Sequence, residues 1–153
     1  MRRALPGHDA VISALGAVPS ERQPVRSVGT GHIIQGMEEL GMRRFICLTT
    51  LGMGDSRPAL PWFYKYLLVP LLLREAFADS ERQEARIRQS RLAWTIARPG
   101  ALTDGPRTGH YQQGFAPTAK GLKMKISRAD VADFMLGQLH DTSRLGQAVS
   151  LSY

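Results

Sequence analysis

A single cysteine, Cys47, excludes an intrachain disulfide and any metal site built from cysteine alone. It lies in an apolar run, where a buried, unreactive thiol is expected. The histidines, His8, His32, His110 and His140, are scattered without the paired spacing of a metal site, so solvated or capping roles are expected for them. No G-x-S-x-G elbow is present, which leaves a serine hydrolase without support. Zinc-finger cysteine spacing is missing, as is the mix of aromatic and basic residues typical of nucleic-acid-binding strands. No apolar run reaches the roughly 20 residues of a membrane-spanning helix. The longest, residues 60–73, contains Lys65 and Pro70 and reads as a helix or broken helix packed on the body of the protein. Residues 1–10 have no apolar core, so no signal peptide is read there. Neither nucleic acid nor a membrane is therefore an expected partner, and a cytoplasmic location is expected.

Positive charge is plentiful: 20 lysines and arginines against 13 acids give a net charge of +7. Scattered basic residues favour a solvated, arginine-rich surface, with an anionic partner such as a dinucleotide as the other reading. A chain of 153 residues suits one domain with a real core. Along it, residues 8–15 read as a buried strand ending in small residues, and 17–28 as a loop. Thr30 is placed to cap a helix running to about Leu40, with Ile33, Ile34, Met37 and Leu40 on one face. Gly41 suits the end of that helix. Residues 44–50 and 92–97 read as apolar strands covered on both faces, as in a parallel sheet. Between them lie a loop at 51–60 and a charged helix at about 79–89. Residues 103–120 read as a mobile loop or ligand-side flap, and 122–126 as a short strand. Ser127 and Asp130 form a capping pattern for a helix to about Leu139, with Val131, Phe134 and Met135 on its core face. Residues 147–152 close the chain as a strand. Alternation of this kind implies an α/β fold with a mainly parallel sheet and flanking helices. Ligands of such sheets sit beyond the carboxyl ends of the strands. That rule places Ala14, Leu15 and Gly16, then Thr49, Thr50 and Leu51, then Arg98, Pro99 and Gly100, along one crevice.

The segments HDAVISALG, GMRRFICLTTLGMGDSR, SRLAWTIARPGALTDG and ISRADVADFML succeed one another in a familiar order and spacing. Together they make the chain resemble the atypical short-chain dehydrogenase/reductase proteins, in particular the NAD(P)H-binding, NmrA-like and biliverdin/flavin reductase-like group. The resemblance covers essentially the whole chain. It implies the C-terminal part of a Rossmann-type domain, with residues 1–153 forming a single, partial NAD(P)-binding unit. It further implies that Ala14, Leu15 and Gly16 pass the adenosine side of the dinucleotide. Thr49 and Thr50 would lie near the nicotinamide, where the family usually has serines. Arg98, Pro99, Gly100, Ala101 and Leu102 would line the carboxamide from the other side. Two plainer readings stay open: a simple turn at Arg98-Pro99-Gly100, and β-branched strand residues at the two threonines.

Two departures from the family pattern stand out. Family members begin with a strand and a glycine-rich turn whose N–H groups hold the pyrophosphate at a helix N-terminus. The four segments of this chain correspond to later parts of such a domain. Gly29-Thr30-Gly31 precedes a helix, but no strand leads into it, so it reads as a helix start rather than a phosphate site. The Y-x-x-x-K pair of the standard family is missing as well. Four residues beyond Tyr64 is Leu68, and four beyond Tyr66 is Pro70. Thr50 remains the candidate catalytic group on its strand.

The resulting expectation is a truncated atypical reductase, NAD(P)H-binding and acting on a small planar acceptor of unknown identity. The alternatives are a non-enzymatic, NmrA-like dinucleotide sensor or protein-binding regulator, and an inactive fragment. Binding of NADP(H) or NAD(H) is expected to be weak or absent without the phosphate turn. In the family arrangement strand 8–15 is central. Without its usual neighbour it becomes a sheet edge, Val11 and Ile12 lose burial, and self-association along that edge is expected.

Overall fold

A computed structural model describes residues 4–16, 24–59, 62, 66–67, 71, 73–116, 118–119 and 121–153. In chain order the elements are β1 (Ala10–Ser13), α1 (Val25–Glu39), β2 (Arg44–Leu48), a 3-10 helix (Gly54–Ala59) and α2 (Arg74–Gln89). Then come β3 (Ala93–Pro99), β4 (Ala101–Thr103), β5 (Gln112–Gln113), β6 (Lys125–Ser127), α3 (Arg128–Gly137) and β7 (Gln147–Ser152). The main sheet has the order β1-β2-β3-β7-β5, and its first four strands are parallel. β5 joins β7 antiparallel, while β4 and β6 form a separate parallel pair.

Alternation along the strands sorts side chains onto two faces. Phe45, Cys47, Trp94 and Ile96 pack against Ile33, Met37 and Ile87 of α1 and α2. Ile46, Ala97, Val149 and Leu151 pack against Val131, Phe134 and Met135 of α3. The unbroken apolar runs of β2 and β3 are therefore covered on both sides, as parallel central strands are. Cys47 is fully buried, and burial pushes its thiol pKa up to about 12, so it is a packing residue.

Several boundaries differ from the sequence reading for identifiable reasons. α1 begins at Val25, so Thr30 is no cap; it lies inside the helix, fully buried, and accepts a hydrogen bond from Gln83 Nε2 at 3.1 Å. The cap comes from another helix instead. The Asp79 carboxylate on α2 accepts from the backbone N–H of Arg26 at 2.9 Å and of Ser27 at 3.2 Å. The loop read at 17–28 thus holds for none of residues 25–28, and residues 17–23 lie outside the described ones. α2 starts at Arg74 rather than Asp79; the packed helix read at 60–73 falls mostly outside the described residues. Leu40, expected on the core face of α1, is its C-cap and is exposed; Gly41 ends the helix with a φ of 71°. β1 is not a buried strand: among the described residues it pairs with β2 alone, Val11 is half-buried and Ile12 is exposed. The loop at 103–120 contains β5, and the short strand read at 122–126 is displaced to β6.

Candidate functional site

The register brings three strand ends together. Ser13 pairs with Cys47 and Leu48 with Ala97. The ladder then runs on past β2: Thr49 N–H donates to Ala97 O and Leu51 N–H to Pro99 O, both at 2.9 Å. Ala14–Gly16, Thr49–Thr50 and Arg98–Gly100 therefore stand side by side, at the roughly 4.8 Å spacing of neighbouring strands. Ala14 and Gly16 are exposed, and a Cβ on Gly16 would meet nothing within 4 Å. Leu15, half-buried, packs against the α1/α2 core. Small, open backbone at this edge suits close approach by an extended ligand.

The two threonines divide. Thr49 Oγ1 donates to Glu84 Oε1 on α2 at 2.9 Å. Thr50 comes next on the other face, half-buried, and among the described residues its hydroxyl makes one long 3.4 Å contact, with Leu51 O. Of the pair, Thr50 keeps a hydroxyl available to a ligand.

Arg98 and Pro99 belong to β3 itself rather than to a turn after it. The Arg98 side chain is 2% exposed and turns under the sheet. Its Nε and Nη2 donate to Glu84 Oε1 at 2.9 Å and Oε2 at 2.6 Å, and its Nη1 donates to Asp55 at 2.6 Å. Burial would raise the Glu84 pKa, but the hydrogen bonds and charge of Arg98, with Thr49 and Arg88, outweigh it and hold Glu84 below the usual carboxylate range. What Arg98 offers the crevice is backbone. Its guanidinium ties β3, α2 and the 3-10 helix together beside an open cleft of about 440 Å³. On sequence, Asp55 reads as a loop residue facing the crevice or as simple turn chemistry, and the structure gives it to Arg98; Glu84 was passed over. The only local signal was the Glu84–Arg88 pair, four residues apart on one helix face and 3.1 Å apart in space.

Gly100 forms the corner into β4. Its N–H donates to Leu151 O, and a Cβ there would stand 2.5 Å from Met124 O, so only glycine fits without a shift. Ala101 and Leu102, both exposed, lie on β4. Gly29-Thr30-Gly31 lies within α1, and Asp79 already occupies the N–H groups of that helix's first turn. The segment is therefore neither a helix start nor an anion site. Among the described residues no cluster of His, Cys, Asp and Glu is placed to hold a metal ion. Among them, too, no helix is long and apolar enough to cross a membrane.

A mainly parallel sheet covered by helices, with open strand ends at its carboxyl edge, defines a Rossmann-like α/β protein. The chain belongs to the NAD(P)H-binding family, which it matches over residues 1–142. It is 26% identical over 97% of its length to UPF0659 protein YMR090W of Saccharomyces cerevisiae, and spans 64% of that protein. Among solved structures it is similar to ChuY, an anaerobilin reductase from Escherichia coli O157:H7. That likeness has 28% identity and a TM-score of 0.71, covering 93% of this chain and 62% of that one. A short-chain dehydrogenase/reductase from Veillonella parvula in complex with NADP shares the fold at 18% identity. Its TM-score is 0.74, with 99% of this chain and 66% of that one covered.

Proposed function

We propose that this chain forms the nicotinamide-side part of an NAD(P)H-dependent reductase acting on a small planar acceptor. The observation that carries the reading is the alignment of Ala14–Gly16, Thr50 and Gly100 at one sheet edge, with Ala101 and Leu102 following the Gly100 corner on β4. The bound dinucleotide would supply the hydride. Ala14 and Gly16 give it an open backbone ledge, Thr50 orients a polar group through its hydroxyl, and Gly100–Leu102 close the far side. The Arg98–Glu84 pair keeps this edge rigid, which matters because misplacement by about 1 Å costs rate.

The 153 residues hold no strand–turn–helix glycine fingerprint, and α1 spends its N-terminal N–H groups on Asp79. This chain's own hold on the pyrophosphate is therefore small, and its affinity for NADP(H) or NAD(H) is weak. Kinship to a reductase and to an NADP complex supports the reading. The test is oxidation of NADPH by this protein with flavin and quinone acceptors, read by loss of reduced-cofactor absorbance. Acceptor-dependent oxidation above the uncatalysed rate supports a reductase. NADPH binding without oxidation for any acceptor replaces it with a dinucleotide-sensing protein.

A further inference from the structure

Ser127 and Asp130 stand at the start of α3 with the spacing of a capping box. In such a box the acid turns back to the N–H of the cap residue. Here half of that exchange is diverted. Ser127 Oγ accepts from Asp130 N–H at 3.0 Å, which caps the helix. Ser127 N–H, however, donates to the Tyr153 hydroxyl oxygen at 3.1 Å. The Asp130 carboxylate, fully buried, is thereby freed from its own helix.

It is spent on residues 104–110 instead, every one of them exposed. Asp130 Oδ1 accepts from the backbone N–H of Thr108 at 2.7 Å and of Gly109 at 2.8 Å. Gly109 adopts a φ of 68°, a left-handed turn that lets both N–H groups converge on one oxygen. Oδ2 accepts from Thr108 Oγ1 at 2.8 Å and from the Tyr153 hydroxyl at 2.5 Å. Thr108 Oγ1 in turn accepts from His110 N–H at 3.1 Å, and Ser127 Oγ donates to Pro106 O at 3.1 Å. Arg107–Asp133 and Arg128–Asp104 add two ion pairs on the surface, where such pairs contribute little. Asp130 is therefore the main fastening of this strap.

Ordering an exposed strap costs conformational entropy, and burying a carboxylate costs solvation. Residues 104–110 return little buried apolar surface for either cost. A loop held this firmly without a core of its own is the usual platform for a ligand. Its position agrees. The strap leaves β4 just after the Gly100–Leu102 corner and ends at β5, where Gln112 pairs with Ser152 and Gln113 with Leu151. Gly100 N–H donates to Leu151 O at 2.9 Å, so both ends are fastened beside the carboxyl ends of β3 and β7. Thr108 to Gln112 line an open cleft of about 640 Å³, which Lys123 and Tyr153 complete. The Asp130 and Asp133 carboxylates bond to Tyr153 and Tyr111 in its walls, so Lys123 gives it no preference for anions. The bodies of the two phenol rings suit a flat, uncharged ring.

We propose that residues 104–110 are a fixed wall of the acceptor site for uncharged planar acceptors such as quinones, and that Asp130 is the positioning residue that holds this wall. The reaction rests on the reductase reading; the fastening and the ligand class do not.

The experiment uses menadione, an uncharged quinone, and three variants. Asp130→Asn keeps an oxygen for the Thr108 and Gly109 N–H groups and offers its NH2 to hydroxyl oxygens, so it retains the strap. Asp130→Ala and Thr108→Val release it, and Thr108 is exposed, so Thr108→Val leaves the core intact. In an amide NMR titration without dinucleotide, menadione shifts the Thr108, Gly109 and His110 signals of wild type. Its Kd rises about tenfold in Asp130→Ala and Thr108→Val and stays near wild type in Asp130→Asn. In NADPH oxidation the same two variants raise the KM for menadione by that factor, with kcat little changed. A purely structural role would instead lower the folded fraction, hence kcat, and leave KM alone. No menadione shifts at the strap of wild type, or a Thr108→Val Kd equal to wild type, overturns the wall. Strap-dependent menadione binding in a protein that oxidises no NADPH keeps the wall and removes the reductase reading. NADPH oxidation with a menadione KM untouched by Thr108→Val and Asp130→Ala does the reverse.

Discussion

Asp79 on α2 caps α1 in trans: its carboxylate receives the N–H groups of Arg26 and Ser27 and the Ser27 hydroxyl as well. A helix N-terminus is ordinarily capped by the residue just before it, and here that residue is Pro24, whose side chain offers no acceptor. Loss of an N-cap acceptor costs about 0.5–2 kcal/mol. Asp79→Ala also strands the buried Ser27 hydroxyl, so a loss at the upper end of that range, about 2 kcal/mol, is expected. Urea unfolding monitored by circular dichroism measures it. A midpoint equal to wild type contradicts the cap.

The Arg98–Glu84 pair is predicted to show the asymmetry of buried ions. Removing one partner leaves an uncompensated charge and costs about 3–5 kcal/mol, whereas replacing both with apolar residues is close to neutral. Arg98→Met and Glu84→Leu should each lower the unfolding free energy by about that amount. The double variant should recover most of it. Additive losses in the double variant would show that the two side chains do not depend on each other.

Acid unfolding should draw on Asp130, whose carboxylate holds Thr108, Gly109 and Tyr153. Burial would raise the Asp130 pKa, but hydrogen bonds from Tyr153, Gly109 and Thr108 outweigh it and hold the carboxyl far below its ordinary value. A depressed carboxylate stabilises the fold above its unfolded-state pKa, about 4, and that stabilisation is lost as pH falls from there toward the lower folded value. The melting temperature of wild type should therefore drop below about pH 4 more steeply than that of Asp130→Asn. Parallel slopes would mean that Asp130 is not the titrating group.

Much of the sheet was legible because its signals are local. Residues 147–152 form β7 as read, and Ser127 caps α3 through the Asp130 N–H at 3.0 Å. Met37, Val131 and Phe134 are core residues, as their spacing implies. What escaped is carried by contacts distant in sequence. The start of α1 depends on Asp79, 53 and 52 residues from Arg26 and Ser27. The fate of Arg98 depends on Asp55, 43 residues away. Tyr153 gave no pattern at all, since its role exists only once β7 lies against α3. Thr50 was singled out from Thr49 by the family resemblance, but the physical difference lies in the fold: Thr49 bonds Glu84, and Thr50 is left at the crevice.

Thr50→Val keeps the side-chain volume and removes the hydroxyl. In a reductase it should lower kcat with acceptor while changing the dinucleotide Kd little. Steady-state kinetics beside a fluorescence titration separates the two. Equal kcat in the variant makes Thr50 a packing residue.

Among the described residues β1 has a neighbour on one side only, with Ile12 39% exposed beside it, so its other edge is offered to a second copy of the chain. Such edges pair, and a lysine on them discourages pairing. Light scattering after size exclusion should show dimers or larger species for this chain, and fewer for Ile12→Lys. A monomeric wild type at high concentration contradicts edge pairing.

The most direct test of the central claim is an amide NMR titration of this chain with NADPH up to millimolar concentration. Fast-exchange shifts should gather at Ala14, Gly16, Thr50, Gly100, Ala101 and Leu102, consistent with weak binding along the carboxyl edge of the sheet. Shifts centred on Gly29–Gly31, or none at these strand ends, would contradict the assignment of the site.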